Sequence, residues 1–371
     1  MAKKKASKRS PSQEAVEASL MEDMIPDMAI KSSDWLSTGS TLLNLALTGH
    51  PLRGVAKGRY FWIAGDSSSG KTFLMLTMFA EASIASNWKE YDLFFDDVEG
   101  GALMNMQEFF GSKMAQRVKH PPQGVSTTAE SFYFNIDKQL NEVEKGKAPP
   151  FLWLLDSMDT LSTNYEGKKF DEKRREYEGG AKAKGDYGDG KAKINSTYLR
   201  RLLPRLHDTG CTLMIVSQTR DKIDAGMFEE KKTVSGGHAL KFYATVQIWT
   251  SPGGKIKKTF KGKDYQIGIR SRIRLKKNRL SGKEWTVDIP IYFKFGLDDV
   301  GCCIDYLVDS KAWKVEGKTI VADGLDFEGT RDSLIEHIED EGLHRDLAEL
   351  VGDKWNEIEE AVTPKRKSRY S

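Results

Sequence analysis

The chain has 371 residues, is 39% hydrophobic and 30% charged, and carries a net charge of +3. That is enough chain for a full α/β core with a smaller domain beside it, and too little net charge to name a partner. No apolar run approaches the roughly 18 residues of a membrane span, and no hydrophobic stretch follows the basic start MAKKKASKRS, which excludes a spanning helix and a secretory signal. Cys211, Cys302 and Cys303 lack CxxC or Cys/His spacing, so a disulfide framework and a zinc site are also set aside, and a reducing cytosol is the expected compartment.

In chain order, a basic tail comes first. Glu14 to Ile25 then carries Val16, Leu20, Met21 and Met24 at helical spacing, and Pro26 stops the helix. Such a short amphipathic helix packs either on its own domain or on a neighbouring subunit. STGSTLLNLALTG (Ser37 to Gly49) leads to the apolar run RYFWIAG (Arg59 to Gly65), which reads as a buried strand. Thr72 to Ser86 is apolar nearly all round, as in a helix buried on most sides. Four more runs read as buried strands: YDLFFDD (Tyr91 to Asp97), PFLWLLDS (Pro150 to Ser157), CTLMIVSQ (Cys211 to Gln218) and ATVQIWT (Ala244 to Thr250). Continuous apolar strands alternating with helical segments predict a largely parallel sheet covered on both faces. Reversals near KGKDYQIG and NRLSGKEW predict antiparallel additions at one edge.

From about Asp299 the chain turns helical and acidic. Twelve Lys/Arg and one acid lie between Gly253 and Lys283, whereas Asp323 to Ala361 holds fourteen acids and three Lys/Arg. Blocks of opposite sign are either separate working surfaces or plain solvated faces. The expected division is a tail and helix over 1–36, an α/β core over 37–298, a small α+β domain over 299–362 and a basic tail over 363–371.

Gly65-Asp66-Ser67-Ser68-Ser69-Gly70-Lys71-Thr72 fits GxxxxGK[ST], with a strand before it and a helix after it. Glycines let successive N–H groups curl round a phosphate, and the helix N-terminus adds positive partial charge. Lys71 is placed to reach the β- and γ-phosphates of ATP and Thr72 to ligate Mg²⁺. Mg²⁺ needs a second anchor at a strand end, and FLWLLDS supplies Asp156. In FFDDVEGG, Asp96, Asp97 and Glu99 compete to orient or deprotonate the attacking water. Gln218 ends its strand as either a γ-phosphate sensor or an ordinary polar terminus.

Several stretches together resemble the RecA-type recombinases, bacterial and phage. STGSTLLNLAL is similar to their approach to the P-loop, and FDDVEGGALM to the strand that carries their catalytic glutamate, here Glu99. TLMIVSQTRDKIDAGMF…TVSGGHALKFYATVQI (Thr212 to Ile248) resembles the sensor glutamine, the second DNA-binding loop and the GG-x-ALKFYA segment. RLKKNRLSGK resembles the basic hairpin that reaches a neighbour's nucleotide, and DYLVDSKAWKVEGKTI the opening of the C-terminal domain. The resemblance runs from about Ser37 to Lys318, and the long insertions suit the phage UvsX-like branch.

The resemblance implies a RecA-like P-loop NTPase core and a helical filament on single-stranded DNA that pairs it with a homologous duplex. It places Glu99 as base, Gln218 as sensor, and Lys277 and Arg279 as cations acting on ATP in the adjacent subunit. The sensor strand ends Ser-Gln where bacterial members usually have Asn-Gln, the adenine-stacking tyrosine falls near Met106, and the tail is basic where bacterial tails are often acidic.

Two polar stretches after strand ends are expected to hold DNA, about 163–193 and 219–237, since open α/β sheets place ligands there. Arg174 and Arg175 in the first, and Arg220, Lys222, Met227, Phe228, Gly236 and Gly237 in the second, are the candidate contacts. Tyr177, Tyr187 and Phe228 offer rings for base stacking. Arg270, Arg272 and Arg274 alternate with apolar residues, so they share one strand face, either for a phosphate backbone or as a solvated edge. Single-strand binding and loader proteins are further expected partners. The rival readings are a recombination mediator of the same fold, which would have lost the base or the trans cations, and a helicase or motor ATPase, which would close into a ring.

Overall fold

The computed structural model describes residues 30–179, 190–221, 232–234, 236–366 and 369. The helix expected at Glu14–Ile25, Tyr187, and Lys222, Met227 and Phe228 lie outside the described residues, as do 367, 368, 370 and 371 of the basic tail.

The elements in chain order are β1 (Trp35–Leu36), α1 (Thr41–Thr48), β2 (Val55–Ala56), β3 (Tyr60–Gly65), α2 (Lys71–Ile84), β4 (Asp92–Asp97), α3 (Met106–Arg117), β5 (Val118–Lys119) and α4 (Ala129–Glu144). There follow β6 (Phe151–Asp156), α5 (Asn164–Glu178), α6 (Gly190–Thr209), β7 (Thr212–Asp221), β8 (Lys232–Val234), α7 (His238–Tyr243), β9 (Val246–Phe260), β10 (Lys263–Asn278), β11 (Thr286–Tyr292) and β12 (Gly296–Leu297). The C-terminal part comprises α8 (Asp299–Asp309), β13 (Lys314–Glu316), β14 (Thr319–Ala322), β15 (Phe327–Gly329), α9 (Arg331–Asp340) and α10 (His344–Val362).

The expected strands lie side by side in one sheet, ordered β12-β11-β10-β9-β3-β7-β6-β4-β5, with β8 paired to β7 off this path. From β9 to β5 every pairing on the path is parallel. The edge beyond β9 is antiparallel, as the two reversals predict, and it is longer than expected: β9 runs to Phe260 rather than ending at Thr250. The α/β class, with helices on both faces of a mostly parallel sheet, therefore holds.

Strand period two sorts the apolar residues into two layers. Phe61, Ile63, Leu152, Leu154, Met214 and Val216 face a cluster that includes α1 and α2. Tyr60, Trp62, Trp153, Leu155, Leu213 and Ile215 face a second cluster with α4 and α6. Covered on both sides, the strands need no polar alternation, which is why they read as unbroken apolar runs.

Residues beyond 298 have their own three-stranded sheet, β13-β14-β15. Their helices, however, share the first apolar cluster: Ile304, Leu307, Leu347 and Val351 join Leu43 and Leu45 of α1. Asp299 ties the two parts polar-wise, accepting from the Thr41 amide and hydroxyl, both at 2.7 Å. The acidic block also leans back on the core, where Glu359 pairs with Lys283 and the Trp285 and Trp355 rings lie 4.7 Å apart.

One expectation needs correcting. Much of the stretch 163–193, read as a polar loop, is helix α5. Thr163 Oγ1 accepts from the Glu166 amide at 3.1 Å, and Glu166 Oε2 accepts from the Thr163 amide at 2.7 Å, a capping box that starts the helix. Within it Arg174 lies between Asp171 (3.7 Å) and Glu178 (3.9 Å), an i,i+3 and an i,i+4 pair on the helix surface. No residue of α5 is buried, and Arg174 and Arg175 stand exposed.

Candidate nucleotide site

The phosphate-loop motif leaves β3 at Gly65 and enters α2 at Lys71. Gly65 is there because β9 passes too close for a side chain: a Cβ would sit 2.0 Å from Thr250 Oγ1. Gly70 has φ +87°, and a Cβ would meet Ile291 Cδ1 at 2.7 Å. The loop is pinned from β10 by the Ser271 hydroxyl, which donates to the Ser69 carbonyl at 2.7 Å, while Ser69 Oγ and Thr250 Oγ1 lie 2.6 Å apart. Lys71 is buried and donates Nζ to the Gly65 and Asp66 carbonyls at 3.0 and 2.7 Å, curled along the inside of the loop. Burial pushes its pKa down, and the nearby carboxylates of Asp156 and Glu99 oppose that. Together with the α2 N-terminus, this makes an anion-binding cradle.

Beside it, Thr72 Oγ1 donates to Asp156 Oδ2 at 2.5 Å. Burial, then the charges of Glu99 and Asp97, push the Asp156 carboxyl up to about 6, against the Thr72 hydrogen bond and Lys71. A hydroxyl and a carboxylate held together among further acids suit Mg²⁺. Mg²⁺ takes one or two protein ligands and completes its shell with phosphate and water, so a hydroxyl and a single carboxylate suffice as its protein donors.

The three competing acids separate. Asp96 is buried and bonded to the Ser126 amide (2.9 Å) and hydroxyl (2.6 Å), which occupies both its oxygens in fixing α4's approach. Asp97 accepts from the Gly101 and Ala102 amides, each at 3.3 Å. Glu99 Oε1 gathers the Ser157 hydroxyl at 2.6 Å, the Thr160 hydroxyl at 3.3 Å and Gln218 Nε2 at 2.7 Å. Glu99 and Asp97 border a cleft of about 650 Å³ with Lys71, Thr72, Asp156 and Gln218.

Gln218 opens more than a loop. Just past it, β7 pairs with β8, Thr219 opposite Val234 and Asp221 opposite Lys232, so the second polar stretch stands on a hairpin stem. Asp66 grips that stem, accepting from the Thr219 hydroxyl and pairing with Lys232 at 3.1 Å.

The cleft also has an apolar wall that sequence reasoning missed. Ile269 of β10, Ile291 of β11 and Phe293 border it, as does Gln266. Met104, rather than Met106, borders it from the α3 side. Ile269 and Ile291 meet the phosphate loop through antiparallel pairing at the sheet edge, and no local motif announces them.

Residues 174–298 match the family model of the RecA N-terminal domain. The chain is 27% identical over 318 residues to protein RecA of Rippkaea orientalis, covering 85% of this chain and 80% of that protein. It is 26% identical over 308 residues to protein RecA of Trichodesmium erythraeum (82% and 75%) and 29% identical over 327 residues to that of Delftia acidovorans (88% and 80%). The chain is similar to RecA proteins.

The remaining expected site residues fall away from the cleft. Lys277 donates Nζ to the Phe242 carbonyl at 2.6 Å, and the Arg279 amide bonds to the Thr245 carbonyl at 3.0 Å, at the start of β9. Gly65 pairs with Thr250, further along β9. Five strand residues, about 17 Å, thus separate the level of Arg279 from the phosphate loop of the same chain. Arg220 is exposed on the hairpin stem opposite Thr233. Gly236 and Gly237 have φ +88° and +81° and press against α6: Asn195 Nδ2 donates to the Gly236 carbonyl at 2.8 Å, and a Cβ on Gly237 would meet Ala192 Cβ at 2.6 Å. Packing alone therefore accounts for glycine at both.

Proposed function

We propose that this chain is an ATP-dependent DNA recombinase. It assembles head to tail into a helical filament on single-stranded DNA and promotes pairing and strand exchange with a homologous duplex. The observation that carries the reading is the bond from Gln218 to Glu99, because one amide joins a carboxylate of the nucleotide cleft to the stem of the second polar stretch. Similarity to RecA proteins supports it independently.

In this reading the phosphate-loop amides from Gly65, Asp66, Ser67, Ser68, Ser69 and Gly70 cradle the ATP phosphates. Lys71 turns from its loop carbonyls to the β- and γ-phosphates, and Thr72 and Asp156 hold Mg²⁺, which neutralises phosphate charge. Glu99 accepts the proton of the attacking water, with Ser157 and Thr160 fixing its carboxylate. Gln218 exchanges Glu99 for the γ-phosphate and so passes nucleotide occupancy to the hairpin. Ile269, Ile291 and Phe293 offer the flat apolar wall a purine needs.

Lys277 and Arg279 act on the ATP of the adjacent subunit; their distance from the cleft of their own chain supports a role in trans. DNA lies against α5, with Arg174, Arg175 and the exposed rings of Phe170 and Tyr177, and against the second stretch, with Arg220, Lys222, Met227 and Phe228. Single-strand binding and loader proteins, and the cytosol as compartment, belong to the same proposal. The phage UvsX-like branch rests on the two long insertions alone.

The test is ATP hydrolysis with and without single-stranded DNA in the wild type and Glu99→Gln. Strong stimulation that vanishes in the variant supports the reading. Stimulation that survives moves the base to Asp97, and no hydrolysis in either condition favours a mediator. Negative-stain images separate a filament from a closed ring.

A further inference from the structure

Beyond Thr250 β9 loses β3, while β10 keeps β11 as far as Gly268, opposite Ile256; from there β9 and β10 run on as a two-stranded arm whose tip is the turn at Lys261 and Gly262. The arm rises from the C-terminal edge of the parallel strands, the edge from which α5 and the β7–β8 hairpin also emerge. Between Lys257 and Gln266 it carries four lysines and a single carboxylate, Asp264.

The register sorts these residues by face. Lys258 pairs with Tyr265 and Phe260 with Lys263, so these four project from one face of the ribbon. Phe260 is 60% and Tyr265 50% exposed. Asp264 belongs to the other face, where it accepts from the Thr259 hydroxyl at 2.8 Å and lies 3.7 Å from Lys257. One face therefore alternates two ammonium groups with two open rings, and the carboxylate is turned away from it. Lys258 also borders a groove of about 720 Å³ with Phe293, Lys294 and Phe295, but Asp298, Asp332 and Glu339 line that groove too, so the carboxylate-free face is confined to the arm.

We propose that this arm face is a nucleic-acid-binding surface in its own right, separate from α5 and the second polar stretch, which holds a single strand by its phosphates and stacks its bases. The proposal rests on the DNA reading above. Lysines alone would serve an acidic protein surface equally well, and the chain has such a surface in its own acidic block. Two exposed rings set between the lysines add nothing to carboxylate neutralisation, whereas single-strand binding uses both elements.

The test is fluorescence anisotropy of a labelled oligothymidylate with the full chain, Mg²⁺ and a non-hydrolysable ATP analogue, between about 50 and 200 mM salt. Lys258→Ala with Lys263→Ala is expected to weaken binding and to flatten the log–log salt slope by about 1.4, two single-strand phosphate contacts. Phe260→Ala with Tyr265→Ala is expected to weaken binding roughly fivefold or more at every salt concentration, with the slope unchanged. Lys257→Ala, on the opposite face, is expected to change neither. All these side chains are exposed, and unchanged thermal melting verifies that the variants fold. If both double variants bind as the wild type does, the arm is not a nucleic-acid surface; weakened self-association by sedimentation would then give it to the acidic face of a second copy. A wild type that does not bind the oligonucleotide overturns the DNA reading and this proposal together.

Discussion

Gln218 donates its side-chain amide to Glu99 at 2.7 Å, linking β7, just before it pairs with β8, to the turn after β4 across the mouth of the nucleotide cleft. The same Glu99 oxygen also takes the Ser157 hydroxyl, so its position is set by β6 as well. Glu99→Gln removes the proposed proton acceptor and keeps the shape. It is expected to lower kcat by about 10²–10⁴ with MgATP still bound, as read by steady-state hydrolysis and a fluorescent nucleotide. Gln218→Ala is expected to bind MgATP and to lose the DNA-stimulated part of the rate. A Gln218 variant with full stimulation would break the proposed route from nucleotide to hairpin.

Lys277 turns its ammonium to the Phe242 carbonyl, and Arg279 lies five strand residues, about 17 Å, from the level of its own phosphate loop. Lys277→Ala with Arg279→Ala should therefore leave nucleotide binding by dilute protein intact and depress DNA-dependent hydrolysis about 10³-fold, the scale of a cation supplied in trans. Mixing this variant with Glu99→Gln should restore part of the activity, since some interfaces then receive an intact Glu99 from one subunit and intact cations from the other. A mixture no more active than its components would place the cations elsewhere.

Asp66 is the second residue of the phosphate-binding motif and the anchor of the hairpin stem. Thr219→Val with Lys232→Met removes both of its partners on the stem. Because the ion pair is partly exposed, the expected loss of global stability is below about 1 kcal/mol. The expected functional loss is larger: MgATP should no longer protect the segment 219–234 from limited proteolysis. Undiminished protection would show that the stem does not read the phosphate loop through Asp66.

Asp299 gives a pH signature. Burial pushes its carboxyl from 3.8 up to about 6 against the two bonds from Thr41. A folded value above the unfolded one means the neutral acid favours the fold. That contribution is complete below about pH 4 and is lost as pH rises through 6. Asp299→Asn keeps a neutral acceptor at every pH. The melting temperature of the variant should therefore gain on that of the wild type between about pH 4 and 6 and hold that gain above it; parallel curves would mean that Asp299 titrates at its ordinary value.

The parallel sheet and phosphate loop were legible because their signals are local. Six-residue apolar runs and a glycine pattern can be read without knowing what they pack against. The residues alone left Glu99 as one of three acids, and only the resemblance singled it out; what occupies Asp96 is Ser126, thirty residues away, just before α4. The apolar wall of the cleft was not legible, since Ile269 and Ile291 meet through the β10–β11 register and reach the loop only after β9 has joined β3. Helix α5 was missed although Thr163 and Glu166 spell its cap, because the glycines that follow and the dense mixed charge outweighed that cue. The C-terminal boundary drawn at 298 follows the change of sheet but cuts through a continuous apolar cluster.

Strand β10 has a further consequence. Midway along it Ile269 lines the cleft of its own chain, and just past its C-terminal end lies Arg279. Ten residues of extended chain separate them, about 30 Å. If Arg279 serves the next subunit's ATP, this strand acts as a ruler that fixes the repeat from one nucleotide to the next. A hydrogen-bonded strand resists stretching, so such an assembly would alter its pitch by tilting whole subunits about their contacts rather than by lengthening within them.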